Sequence, residues 1–245
     1  MRGVSIPYKI EMSKTLLFSS LFLLLITMRT DILAQRIKGE VFAGINLSQV
    51  DGDEIYGFDK VGLNTGVGAI LPIGKHFTFS VETQYSQKGS VQGEQYADTV
   101  FNPNTGMDEF WTGEYKLKLD YLEVPVLFHF TDKLISAGLG ISYGRLVNVK
   151  EYEHGNLVTT TTLNEGPYDK NDYNFLVDIN FRIHKKISKF KFNVRYTYSI
   201  DKIRTRDFYN KLYEYTGTRD QYNNLVSLRL IYVFNEKPPL AGQKK

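Results

Sequence analysis

The sequence predicts an all-β fold: an eight-stranded antiparallel up-and-down transmembrane β-barrel with four long external loops and short periplasmic turns. Three observations carry this. Eight segments alternate apolar and polar with period two, and the connections between them alternate long and short. No stretch after Gln35 is apolar for long enough to form a transmembrane helix, although the 245 residues include 17 Tyr and 16 Phe.

The first segment places Val41, Ala43, Ile45 and Leu47 on one face. The second places Leu63, Thr65, Val67, Ala69 and Leu71 opposite Gly62, Asn64, Gly66 and Gly68. The third, Phe77 to Tyr85, alternates most cleanly. The fourth begins with Tyr115, Leu117, Leu119 and Tyr121, then changes phase and continues as Leu122, Val124, Val126, Phe128 and Phe130, which predicts a β-bulge at Tyr121-Leu122. Ile135 to Tyr143, Tyr173 to Ile183, Phe190 to Ile200 and Val226 to Phe234 complete the set, each apolar on alternate residues.

Short turns are expected near Ile73-Gly74-Lys75, Thr131-Asp132-Lys133 and from His184 to Lys189. Long polar loops are expected over 48–60, 87–113, 150–172 and 201–223, with VTTTTL (Val158 to Leu163) able to extend the third as a hairpin. Soluble domains rarely carry several irregular loops longer than about 12–15 residues. A membrane barrel with long loops on one rim does.

A soluble sandwich would turn the apolar faces inward. Two features favour the inverted arrangement, with apolar faces toward lipid. Gly44, Gly66, Gly68, Gly138, Gly140 and Gly144 crowd the polar face, as a narrow lumen requires where long side chains project from neighbouring strands. The long residues on that face carry both signs, Glu82, Glu123 and Asp178 against Arg182, Arg195 and Arg229. Buried charges need partners, so these six are expected to form an interior polar network. Tyr85, Tyr115, Tyr143, Tyr173, Tyr198, Tyr232 and Phe234 lie near strand ends, where aromatic girdles would form.

Three regions follow. Residues 1–34 read as a cleaved signal peptide, with Lys9 and Lys14 before the apolar run Leu16 to Met28 and a small residue, Ala34, at the cut. Residues 35–234 form the barrel, and 235–245 a periplasmic tail. Loss of the signal removes four basic and two acidic residues and leaves a formal charge near neutrality, which is not a nucleic-acid binder's balance. The chain has no cysteine, so disulfides and thiolate chemistry are excluded.

The stretches GEVFAGINLSQVDGD (Gly39 to Asp53), VGLNTGVGA (Val61 to Ala69), VETQYSQKGS (Val81 to Ser90) and YLEVPVLFHF (Tyr121 to Phe130) resemble the small outer-membrane β-barrel proteins of Bacteroidota labelled PorT-like or porin-like. The resemblance implies an outer-membrane location and, for some relatives, a part in the type IX secretion system. The final strand SLRLIYVF resembles the signal read by the barrel assembly machinery, with Tyr232 and Phe234 in its aromatic positions; it lacks the internal glycine of that pattern and continues to Lys245.

No catalytic, cofactor or metal site is expected. The four histidines, His76, His129, His154 and His184, are not at ligand spacing on one strand, and no serine sits in a nucleophile elbow. Asp51, Asp53 and Glu54 cluster as a calcium site would need, but without the spacing of the calcium loop, and read as a solvated acidic turn. An eight-stranded lumen is filled by its own side chains. The function expected is therefore a structural or interaction component of the envelope, with lipid, the assembly machinery and a further envelope protein as partners. A narrow channel or small-ligand binder is the alternative, and a hydrolase at the external rim the third reading.

Overall fold

The computed structural model describes residues 37–132, 134–184, 187–209 and 215–236. The signal-peptide reading falls outside them, as does the tail beyond Glu236. Among the described residues eleven strands form: β1 (Lys38–Asp51), β2 (Lys60–Ile73), β3 (Phe77–Lys88), β4 (Val91–Asn102), β5 (Met107–Asp132), β6 (Ile135–Glu153), β7 (Asn156–Leu157), β8 (Asn171–His184), β9 (Ile187–Ser199), β10 (Arg204–Tyr209) and β11 (Tyr215–Val233). Eight of them close a ring in the order β1, β2, β3, β5, β6, β8, β9, β11 and back to β1, each pair antiparallel. Closure pairs every backbone edge in the ring, which a lone sheet cannot do.

The eight alternating segments of the sequence are the eight ring strands. The other three elements extend them at the long-loop end. β4 folds back on the first part of β5, β10 on the first part of β11, and β7 makes a two-residue pairing with the end of β6. Strands therefore run farther out than the alternation suggests, and the loops are shorter. VTTTTL forms no hairpin: residues 158–163 are irregular and turn inward, with Thr161 buried.

The ring is apolar outside and polar inside. Leu139 is 57% exposed and Val67, Phe128 and Leu230 of other ring strands are exposed too, whereas Arg195 and Arg229 are each 1% exposed. Side-chain parity is what enforces this. A one-residue slip would exchange the two sets. Aromatic rings gather at both rims of the apolar belt. At the short-turn end Phe77 packs against Phe128 and Phe130, and Tyr232 against Phe190 and Phe234. At the other end Tyr143 meets Tyr173, and Tyr198 stacks on Tyr222.

The bulge lies on the opposite strand from the one expected. β5 keeps odd residues inward without interruption from Tyr115 to His129. Its partner β6 carries the extra residue: Asp120 faces Asn148 while Tyr121 faces Leu146, leaving Val147 unmatched. The apparent phase change in β5 is a change of environment. Tyr115, Leu117, Leu119 and Tyr121 point inward, into an apolar cluster inside the long-loop end, so Tyr115 belongs to no girdle.

Glycines on the inner face receive neighbours' side chains. A methyl group at Gly66 would sit 2.7 Å from the Phe42 ring and against the Thr83 carbonyl oxygen. Gly66→Ala is thus expected to cost about 1–3 kcal/mol through overpacking. Gly93→Ala, with nothing within 4 Å, should be near neutral. Urea denaturation of refolded protein compares the two, and equal effects would contradict the packed lumen.

Candidate functional site

The lumen holds two stacked ionic layers. In the lower, the Arg195 guanidinium donates to both Glu82 oxygens at 2.7 and 2.9 Å and to Asp178 at 2.6 Å. Arg229 donates to the same Glu82 at 3.0 Å, approaches Asp178 at 3.4 Å and donates to Asn193 Oδ1 at 2.7 Å. Asp178 also accepts from Asn193 and Asn180 and lies 2.8 Å from His129 Nε2. Four steps around the ring separate β3, which carries Glu82, from β9, which carries Arg195, so this pair spans the full diameter. The Arg229 guanidinium also stacks over Phe42, 4.5 Å from its centroid.

The upper layer centres on Lys88, fully buried, whose ammonium sits 2.6 Å from Glu123 and 2.8 Å from Asp172. Ser199 and Asn223 donate to Asp172. Gln84 joins the layers, donating to Glu123 and accepting from Arg229. Five of the six charges singled out in the sequence, Glu82, Glu123, Asp178, Arg195 and Arg229, are thus connected. Arg182 is not among them. It stands at the short-turn mouth, where it meets Glu236 at 3.4 Å.

Lys88, Asp172, His129 and Asn193 complete these layers and escaped the sequence reading. Lys88 and Asp172 fall just inside the ranges assigned to loops. Parity could have found them, since Lys88 shares a face with Glu82, Asp172 with Asp178, and His129 with Glu123.

Above the ionic layers the long-loop end is capped. Leu117, Leu119, Tyr121, Leu146 and Val149 of the ring pack against Ile55, Tyr168 and Ile203 of three different loops. Polar ties hold this cap. Glu151 accepts from Tyr115 (2.7 Å), Thr161 (2.5 Å) and Arg204 (3.1 Å), and Arg204 also donates to Tyr168 at 2.6 Å.

A closed ring of eight strands with an apolar exterior and a charged, filled interior is a membrane barrel's arrangement. A family model described as an outer membrane protein beta-barrel domain matches residues 33–222. The chain belongs to this family. It is a bacterial outer-membrane β-barrel, with the short turns on the periplasmic side and the long loops outside. Among solved structures, it is similar to Ail, the attachment invasion locus protein of Yersinia pestis, at 13% identity, 81% of this chain and 99% of that one, and a TM-score of 0.42. Neisserial surface protein A gives 10%, 80% and 96%, and 0.40. A major outer membrane protein from Thermus thermophilus gives 10%, 81% and 99%, and 0.40. No curated protein is matched.

In this outer-membrane barrel the first external loop departs from the expected solvated turn. Asp53 is buried, its carboxylate accepting from the Ile55 amide at 2.9 Å. Glu54 pairs outside with Arg219, and Asp51 accepts from Gln49 and Asn224. Burial pushes the Asp53 carboxyl up to about 6, and the charge of Asp51 adds to this. An acid raised above its unfolded value of about 3.9 binds more protons in the closed loop than in the open one. The closed loop is therefore most stable below about pH 4 and loses stability as pH rises to about 6. Hydrogen exchange at the Ile55 amide, corrected for intrinsic rate, should show local opening growing easier across that window, and Asp53→Asn should remove the trend.

Proposed function

We propose that this outer-membrane barrel is non-enzymatic and non-conducting and serves the envelope as a structural or interaction component. The observation that carries the reading is the Arg195 to Glu82 pair across the lumen, which lies beneath a cap made from three external loops. In the ionic layers and the cap, the acidic and imidazole groups that could do chemistry are already engaged: Glu82 with Arg195, Asp178 with His129, and Glu151 with three donors. The external loops each offer a large apolar side chain to water, Tyr56, Met107, Leu157 and Tyr215, and these are suited to contact a protein partner. An accessory role in an outer-membrane secretion or assembly complex, such as the type IX system, is the role to which the PorT-like resemblance points.

Residues 1–34 are the export signal in this reading, and Tyr232 and Phe234 the contacts of the assembly machinery. The intact mass of protein extracted from outer membranes tests the first. Planar-bilayer recording tests the closed lumen: no steady open state is expected, and a reproducible ohmic conductance would favour the narrow-channel alternative. Crosslinking in native membranes at Tyr56 and Tyr215 should then capture a discrete envelope protein.

A further inference from the structure

Below the ionic layers a cavity of about 220 Å³ opens toward the periplasm. Its wall carries two charges of opposite sign that no neighbour satisfies. Glu40 of β1 is 5% exposed and Lys191 of β9 half-buried; both line the cavity, and neither has a hydrogen-bond or ion-pair partner among the described residues. They feel each other's charge without touching. The arginines of the ionic layer above act on Glu40 only at a distance, since their direct contacts go to Glu82 and Asp178. β1 and β9 flank β11 on either side, and the two groups form no ion pair across it.

The mouth of this cavity is crossed by the chain itself. Asn235 adopts a left-handed backbone (φ 59), which turns Glu236 back beneath the barrel. There the Glu236 carboxylate pairs with Lys38 at 2.6 Å and Arg182 at 3.4 Å, and is buried. A carboxylate is thus already seated among the basic groups of the rim.

We infer that the periplasmic cavity is a binding site for a small zwitterion, a free α-amino acid or the like, with its ammonium on Glu40 and its carboxylate on Lys191, and with Glu236 as a strap across the entrance. A buried acid and a half-buried base that face one space without pairing are matched together by a ligand carrying both complementary charges. A plain anion would leave Glu40 unmatched, and a plain cation would leave Lys191. The inference goes beyond the interaction role and is independent of it, because the ligand enters and leaves from the periplasmic side.

Isothermal titration of the refolded full-length barrel in detergent tests this with glycine, acetate and methylamine as probes. Glycine should bind saturably and about tenfold or more tighter than either single-charge probe, as expected from the added charged contact. Glu40→Gln and Lys191→Met should each weaken glycine binding by about tenfold. Glu236→Gln, outside the ring strands, should leave folding intact and speed or strengthen glycine binding by loosening the strap. If glycine binds no better than acetate and methylamine, the inference fails, and this comparison needs only the unaltered protein should either luminal variant not fold. Glycine binding that survives both Glu40→Gln and Lys191→Met unchanged would overturn it equally.

Discussion

Arg195→Met is expected to cost about 3–5 kcal/mol of folding stability, the range for removing one partner from a buried ion pair. The reason is specific to the lumen. Arg195 supplies two hydrogen bonds to Glu82 and one to Asp178, all at 2.6–2.9 Å and out of water. Its loss leaves two carboxylates sharing Arg229 alone among guanidinium donors. An exposed pair would contribute at most about 1 kcal/mol. Because Arg195 contacts both acids, a double-mutant cycle should show coupling with each: adding Glu82→Gln or Asp178→Asn to Arg195→Met should recover part of the loss. Refolding in detergent with urea as denaturant measures all four corners. Coupling near zero with both acids would mean that these groups face water.

Leu139→Arg is expected to cost about 2–4 kcal/mol, as a charge at the bilayer midplane does. Leu139 lies midway along β6 between Ile135 and the girdle residue Tyr143 and points outward. Val147→Arg, four residues beyond Tyr143 on the same strand, sits at or above the interface, where the penalty falls to about 0–1 kcal/mol. Refolding into lipid vesicles should separate the two variants. On a water-facing sheet both substitutions would be tolerated alike, so equal stabilities would contradict the assignment of the outer face.

The ring strands were legible because period-two alternation is long and unbroken in a barrel whose two faces meet such different surroundings. The same rule misleads where the surroundings change along one strand. Tyr115 to Tyr121 is apolar on the inner face because the barrel there rises above the membrane and encloses the cap, so a constant parity looked like a bulge. The true bulge, at Val147, leaves no mark in composition. Lys88 and Asp172 are hidden for a related reason: strand extensions beyond the lipid lack an apolar outer face, so alternation places the start of the loops too early. Arg182 obeys the parity of the luminal charges but not their depth, which alternation does not encode. Its partner Glu236 depends on a left-handed turn at Asn235 that only the backbone reveals. The pairing of each acid with its base is likewise a matter of depth across facing strands.

The polar faces of the eight strands line a filled lumen and the apolar faces meet lipid. The chain has no cysteine, so single cysteines can carry spin labels without background. Labels at Val67, Leu139 and Ile141 in lipid-embedded protein should collide with oxygen dissolved in the bilayer and be shielded from a water-soluble nickel complex. Labels at Ser142, Thr197 and Ser227, on the buried inner face, should be shielded from both. Strong collisions of the nickel complex with Ser142, Thr197 and Ser227, together with shielding of the apolar set from oxygen, would place the polar face in water and contradict the account.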